Sequence, residues 1–216
     1  MQPFSQPHLP DSLTLMGNLK KALSQDEKLW GFKATNQDLS RTRVIAANIS
    51  DARLVKINFS EANLEKFGIM DVVFSRCDLT ATNCAEASWH RVKISASRLS
   101  GLKLQTSSLR DVIFDTCKLD LANFRFSKLK NVLFKNCVLD EADFYNTELE
   151  NVQFQYCSLI KTEFSSAKCK KLDLRTSDIS SILGIESLAG AIIDSMQLIA
   201  LAPMLAQSFK IKIEDD

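Results

Sequence analysis

The chain has 216 residues, 45% of them hydrophobic, which suits one ordinary soluble domain with a sizeable core. Its 27 basic and 26 acidic residues leave a net charge of +1, so no bulk field draws it to nucleic acid or an anionic membrane. The longest apolar run, residues 198–206, is far short of a membrane span. The opening MQPFSQPHLP has neither the basic start nor the apolar core of a secretion signal.

Residues 1–10 hold three of the four prolines and read as a loose tail. Asp11 or Ser12 can cap a short helix running to Ser24, with Leu15, Met16, Leu19 and Leu23 on one side. Segment 1–28 is therefore expected to cover the open edge of the domain that follows. Trp30 and Phe32 read as an irregular lead-in turn.

From Leu39 to Ile179 every fifth residue is Leu, Phe, Ile, Val, Cys or Trp, without insertion or deletion. Two residues before each sits a slim side chain, and only Gln37 and the bulky Phe67 break that rule. The centres Phe74, Leu79, Phe114, Leu119, Phe124, Leu129, Phe134, Leu139, Phe144, Leu149, Phe154, Leu159 and Phe164, with Cys117, Cys137 and Cys157 between them, are the expected core. A period of five suits neither a helix, at 3.6, nor a flat strand, at two. It suits a square coil whose sides each take five residues and which stacks on its neighbours about 4.8 Å apart. A leucine-rich repeat spaces its leucines unevenly and is excluded.

The superperiod is twenty. On one wall the slim positions are Val72, Val92, Val112, Val132, Val152 and Leu172; on the next they are Cys77, Ser97, Cys117, Cys137, Cys157 and Ser177. Like stacks on like, as a parallel in-register ladder requires. Segments such as Ala62-Asn63-Leu64-Glu65-Lys66, Ala122-Asn123-Phe124 and Ala142-Asp143-Phe144 resemble the A(D/N)LXX motif of the pentapeptide-repeat family. The resemblance covers residues 37–181 and implies an all-β, right-handed quadrilateral parallel β-helix. About seven coils are expected over residues 29–183, with short caps at both ends.

Beyond the coils, Gly184 to Gly190 is an irregular link and Asp194-Ser-Met-Gln197 reads as a capping box opening a helix. Pro203 should kink or divide that helix, and Phe209-Lys-Ile-Lys-Ile213 alternates like a short last strand. In segment 184–216 the apolar Met196, Ile199, Met204 and Leu205 can close the last coil. By resemblance to the family's hydrophobic caps, they can instead join two copies end to end.

Catalytic chemistry is hard to find. All six cysteines fall on inward positions without a CxxC pair, and with only His8 and His90 as histidines neither a metal site nor any other cofactor is expected. His90 falls on an outward position. Asp140, Glu141 and Asp143 cluster without an apolar pocket to raise a pKa, and there is no glycine-rich phosphate loop. A filled rod also lacks a concave substrate pocket, so an enzyme acting on a small-molecule substrate is not expected.

A non-catalytic, cytoplasmic interaction or scaffolding rod fits these residues, its protein partner unidentified. Outward Val73, Ile113 and Leu133, with Tyr156 at the corner of the same wall, form a candidate partner stripe. Lys128, Glu148 and Lys168, and Lys130, Glu150 and Lys170, should form ion ladders across coils. The family resemblance adds a second reading, in which the rod imitates DNA and binds a type II topoisomerase such as gyrase, as the quinolone-protecting members are thought to do. Against it, residues 37–181 carry 21 basic and 18 acidic groups and lack loop insertions. Direct nucleic-acid binding through Lys168, Lys170, Lys171 and Arg175 is the third reading.

Overall fold

Identical side chains at twenty-residue intervals can all be buried only if successive coils stack in register, and they do. The computed structural model describes residues 4–25, 28–212 and 214. Its strands are β1 (Thr14–Leu15), β2 (Lys28–Trp30), β3 (Phe32–Thr35), β4 (Asn48–Val55), β5 (Gly68–Ser75), β6 (Ser88–Ser95), β7 (Ser108–Asp115), β8 (Lys128–Lys135), β9 (Glu148–Gln155) and β10 (Lys168–Asp173). From β4 to β9 each pairs in parallel with the strand twenty residues on, as in Leu129↔Leu149 and Phe134↔Phe154. These strands cover two walls, named here for Leu129 and Phe134. The other two, the Leu119 and Phe124 walls, are held by single parallel bridges such as Val138↔Ser158 and Asn123↔Asp143.

Each corner is a residue in the left-handed region. From Asn36 to Thr176 every fifth residue has φ between 49° and 69°, and Gly101 is the one glycine among them. The corner N–H then reaches the next coil, as in Glu61 N to the Thr80 carbonyl at 2.9 Å. Eight of these corners are Asn or Asp, the non-glycine residues that tolerate this geometry best.

The interior is solid. Every five-residue centre from Leu39 to Ile179 is buried except Cys169, which is half-buried. Phe114, Phe134 and Phe154 stack with ring centres 4.9 and 4.8 Å apart. Phe124, Phe144 and Phe164 stack at 4.7 and 5.2 Å on the facing wall. Rings of the two columns meet edge to face, Phe134 and Phe144 at 6.1 Å. Such pairs are each worth about 0.5–1.5 kcal/mol beyond burial. Phe67 fits a slim position because its column neighbours are Ala47 and Ala87, all three buried.

The slim positions also do hydrogen-bonding work. At several carbonyls of the walls, the hydroxyl or thiol 23 residues on donates as well. Thr147 Oγ1 reaches Phe124 O at 2.8 Å, Cys137 Sγ reaches Phe114 O at 3.5 Å, and Ser177 Oγ reaches Phe154 O at 3.0 Å. The valine column lies on the continuous strands, where aliphatic side chains suffice.

Both ends are closed. At the first coil β1 pairs with β3, and helix α1 (Leu19–Gln25) buries Leu19 and Leu23. Gln37, the polar exception in the repeat, accepts from Leu19 N and donates to Met16 O, each at 2.7 Å. At the last coil a 3-10 turn (Ile185–Leu188) leads to helix α2 (Ser195–Ser208), opened by the Asp194–Gln197 capping box. The Gln197 amide also donates to Leu174 O at 2.8 Å and Ser177 O at 2.7 Å. It stands 23 residues after Leu174 and replaces the hydroxyl that a further coil would supply.

Several sequence expectations are corrected. Lys28–Thr35 is no irregular turn but the first in-register rung, with Lys28↔Asn48 and Lys33↔Arg53, so the solenoid has about eight turns rather than seven. Helix α1 starts at Leu19, where Asn18 Oδ1 accepts from Lys21 N, and not at Asp11 or Ser12; Leu15 lies on β1 and is exposed. Helix α2 runs unbroken through Pro203. Phe209 and Lys210 form a turn and Ile211 and Lys212 no strand, while Ile213 and tail residues 1–3 lie outside the described residues. Within the tail, His8 N donates to Asp71 Oδ1 at 2.9 Å, tying residue 8 to the third rung.

Candidate functional site

Chemistry-bearing side chains of the interior are occupied by structure. All six cysteines are free; five are buried and Cys169 is half-buried. Burial pushes the Cys84 thiol up to about 12 and Cys169 up to about 11. Cys137, between the Cys117 and Cys157 thiols in its column, is pushed up as well by those neighbours and by burial. A thiol held neutral is a poor nucleophile or ligand. Among the described residues no three His, Cys, Asp or Glu side chains converge as a metal site.

His90 is less isolated than its outward position suggests. It is half-buried beside a polar ladder that descends one corner, with Nε2 3.5 Å from Asp111 Oδ2 and 3.3 Å from Arg91 Nη1. Arg91 Nε donates to Asp71 Oδ1 at 2.7 Å, Asn131 Nδ2 to Asp111 Oδ1 at 3.1 Å, and Asn151 Nδ2 to Asn131 Oδ1 at 2.9 Å. Burial works to raise the Asp71 pKa, but the Arg91 hydrogen bonds and the His8 N–H outweigh it and hold the carboxyl below its ordinary range. Asp140 and Asp143 are also engaged, by Ser158 Oγ and by Arg125 at 3.0 Å.

The expected apolar stripe is only partly a surface. Val73, Ile113 and Leu133 share a column, but Ile113 is buried at 5% exposure, and Val73 and Leu133 are half-buried. On a packed wall, neighbouring outward side chains cover one another. Tyr156 is 66% exposed at its corner. A second cluster, absent from the sequence reading, lies on the Phe124 wall: the Arg125 guanidinium stands 4.5 Å over the Tyr145 ring, which meets exposed Phe126 edge-on at 5.7 Å.

Apolar exposure concentrates at the C-terminal lid. Met196 and Ile199 are 72% and 67% exposed, Leu198 between them is exposed, and so are Phe209 and Ile211 past the far end of the helix. Met204 and Leu205 turn half inward, and Leu205 lines a cavity of about 240 Å³ with Ile185, Leu188, Ile193 and Leu201.

Charge is not spread evenly over the walls. The Leu119 wall carries Asp38, Glu61, Asp78, Asp120, Asp140, Glu141 and Asp178 against Arg41, Arg98, Lys118 and Lys161. Backbone N–H donation from Ser40 and Ser180 holds Asp38 and Asp178 below the usual carboxylate range. On the Leu129 wall the ion ladders pair Lys128 with Glu148 at 3.4 Å, and Glu150 with Lys130 and Lys170 at 3.0 and 3.6 Å. Lys168 joins no ion pair among the described residues. In the Lys168–Arg175 patch, Lys170 is thus matched by Glu150, and Arg175 by Asp173 at 2.7 Å.

Together these features define a stacked-coil rod with a filled core, whose outer walls and two lids are what it offers to other molecules. The pentapeptide repeat region family matches residues 67–144 and 107–182, more than half of the chain, and the protein belongs to that family. No curated protein sequence matches it. A trypsin-treated variant of QnrB1, a plasmid-mediated fluoroquinolone resistance protein, is similar at 19% identity over 86% of this chain and 99% of that one, with a TM-score of 0.39. HetL of Nostoc sp. strain PCC 7120, a pentapeptide repeat protein involved in heterocyst differentiation regulation, is 19% identical over 78% and 90%, with a TM-score of 0.27. A thylakoid-lumen pentapeptide repeat protein of Arabidopsis thaliana is 13% identical over 72% and 76%, at 0.26.

Proposed function

We propose that the protein is a non-catalytic interaction rod of a reducing cytoplasm that binds protein, in the first place a second copy of itself, through the C-terminal lid. The observation that carries this reading is the exposed apolar set Met196, Ile199 and Phe209 on a lid that already closes its own last coil through Gln197. Large apolar side chains left exposed along one lid mark contact surfaces. Light scattering at micromolar concentration should give twice the chain mass, and Ile199→Asp should halve it. A parent protein that remains a monomer removes the self-association.

A second reading, a DNA-like rod that binds a type II topoisomerase and protects it from inhibitors, is favoured by the acidic excess of the Leu119 wall. With excess protein, gyrase supercoiling or its drug sensitivity should change, and should stop changing in Asp120→Lys/Glu141→Lys. No change with the parent protein rules it out.

A further inference from the structure

The near-neutral total conceals one strongly biased strip. On the Phe134 wall, the twelve outward positions of the first four rungs (33, 35, 36, 53, 55, 56, 73, 75, 76, 93, 95 and 96) include Lys33, Arg53, Lys56, Arg76 and Lys93 and no acid. Strand register places Lys33, Arg53 and Lys93 in one column, with Val73 between the last two. Lys56 and Arg76 occupy successive left-handed corners at the edge of the same wall. Lys33, Arg53, Lys56 and Arg76 are exposed and Lys93 is half-buried. None of the five has a carboxylate within 4 Å among the described residues, whereas other basic side chains of the rod, such as Arg41, Lys66 and Lys130, are paired. Five unpaired cations on rungs about 4.8 Å apart form a rigid strip about 14 Å long.

At its first rung the strip adjoins Trp30, which is 76% exposed and lies just across the Gly31 corner from Lys33. A bare indole beside an uncompensated basic row suits a ligand with regularly spaced negative charge and flat rings. We infer that this strip binds single-stranded nucleic acid, its phosphates lying along Lys33, Arg53, Lys56, Arg76 and Lys93 and one base stacking on Trp30. A flat wall cannot enter a duplex groove, so base pairs are not read. An acidic polypeptide makes no comparable use of the indole. A membrane surface would want apolar side chains to insert, and the only large aliphatics on the strip, Val55 and Val73, are half-buried. The inference is independent of the lid, and its failure leaves self-association untouched.

The test is fluorescence anisotropy with a labelled single-stranded 15-mer and the full chain. Five phosphate contacts predict binding that weakens by about a hundredfold between about 50 and 200 mM salt. Arg53→Glu/Lys56→Glu/Arg76→Glu should abolish binding, and the milder Arg53→Gln/Lys56→Gln/Arg76→Gln should weaken it by about tenfold or more while melting like the parent. Trp30→Ala should cost about fivefold or more. Lys168→Glu/Lys171→Glu, on another wall, should change little. The inference is overturned by any of four results: no binding at low salt, a neutralised variant that binds like the parent, a duplex that competes equally with Trp30→Ala silent, or polyglutamate or anionic vesicles competing better than the strand.

Discussion

Gln37 and Gln197 show how much one amide can decide at the end of a repeat. Inside the rod a Ser, Thr or Cys of the next coil donates to several of the wall carbonyls, as Thr147 does to Phe124 O, but the terminal coils have no next coil. Gln37 fastens the first lid to the stack through Leu19 N and Met16 O. Gln197 serves Leu174 O, Ser177 O and, through Oε1, Asp194 N at 2.9 Å. Removing its side chain leaves Ser177 O without its donor and Leu174 O with only the Ser177 N–H at 3.3 Å, at about 1–3 kcal/mol. Gln197→Ala should therefore lower the free energy of unfolding by that amount in a denaturant titration. Lys130→Ala, which removes one exposed ion pair, should change it by less than about 0.5 kcal/mol. Equal effects would mean that the lid does not rest on Gln197. The sequence marked Gln37 only as an exception to the slim-residue rule, because a hydrogen bond to a lid leaves no periodic trace. Gln197 was legible as a helix cap and not as a clasp, since the 23-residue offset between donor and carbonyl shows only once the coils are stacked.

Among the elements, the coils were far more legible than the lids. A five-residue period with two inward positions specifies wall, corner and rung together, so the Val72–Leu172 and Cys77–Ser177 columns gave the twenty-residue register directly. Corners declared themselves less, because most carry ordinary residues forced to positive φ by the stacking and only the Asn and Asp corners hint at it. At the ends the local pattern does not decide: Phe209-Lys-Ile-Lys-Ile213 alternates like a strand in sequence, yet Phe209 and Lys210 form a turn and Ile211 and Lys212 no strand. Gly184 shows how strictly the second lid is placed. Its φ is +74°, and a Cβ there would lie 2.2 Å from Ser165 N. Gly184→Ala should shift the turn and detach α2 from the last coil, so that amide exchange rises across residues 185–208 while β5 to β8 stay protected. Uniform exchange across lid and rod would show that the two unfold as one unit.

For the whole molecule, a net of +1 averages an acidic wall against a basic strip on walls the coil keeps apart. Location also governs the response to pH. Asp71, despite the burial that opposes it, is held below its ordinary pKa by Arg91, and Asp173 is held there chiefly by the Arg175 hydrogen bonds. A carboxyl with a depressed folded pKa adds stability that is present above its unfolded value, near 3.8, and is lost as pH falls through the folded one. The Cys84 and Cys169 thiols act in the opposite sense. Their ordinary value is 9.0, but Cys84 stays protonated up to about 12 and Cys169 up to about 11, so above pH 9 the unfolded chain releases protons that the folded chain keeps. Stability should thus be level from about pH 5 to about pH 8.5. It should fall on the acid side as the paired aspartates titrate, and on the alkaline side between pH 9 and 12 as unfolding ionises the buried thiols. Denaturant titrations across this range test both limbs, and Cys84→Val should flatten the alkaline limb while leaving the acid limb in place. An alkaline limb unchanged in that variant would mean that the core does not hold its thiols neutral.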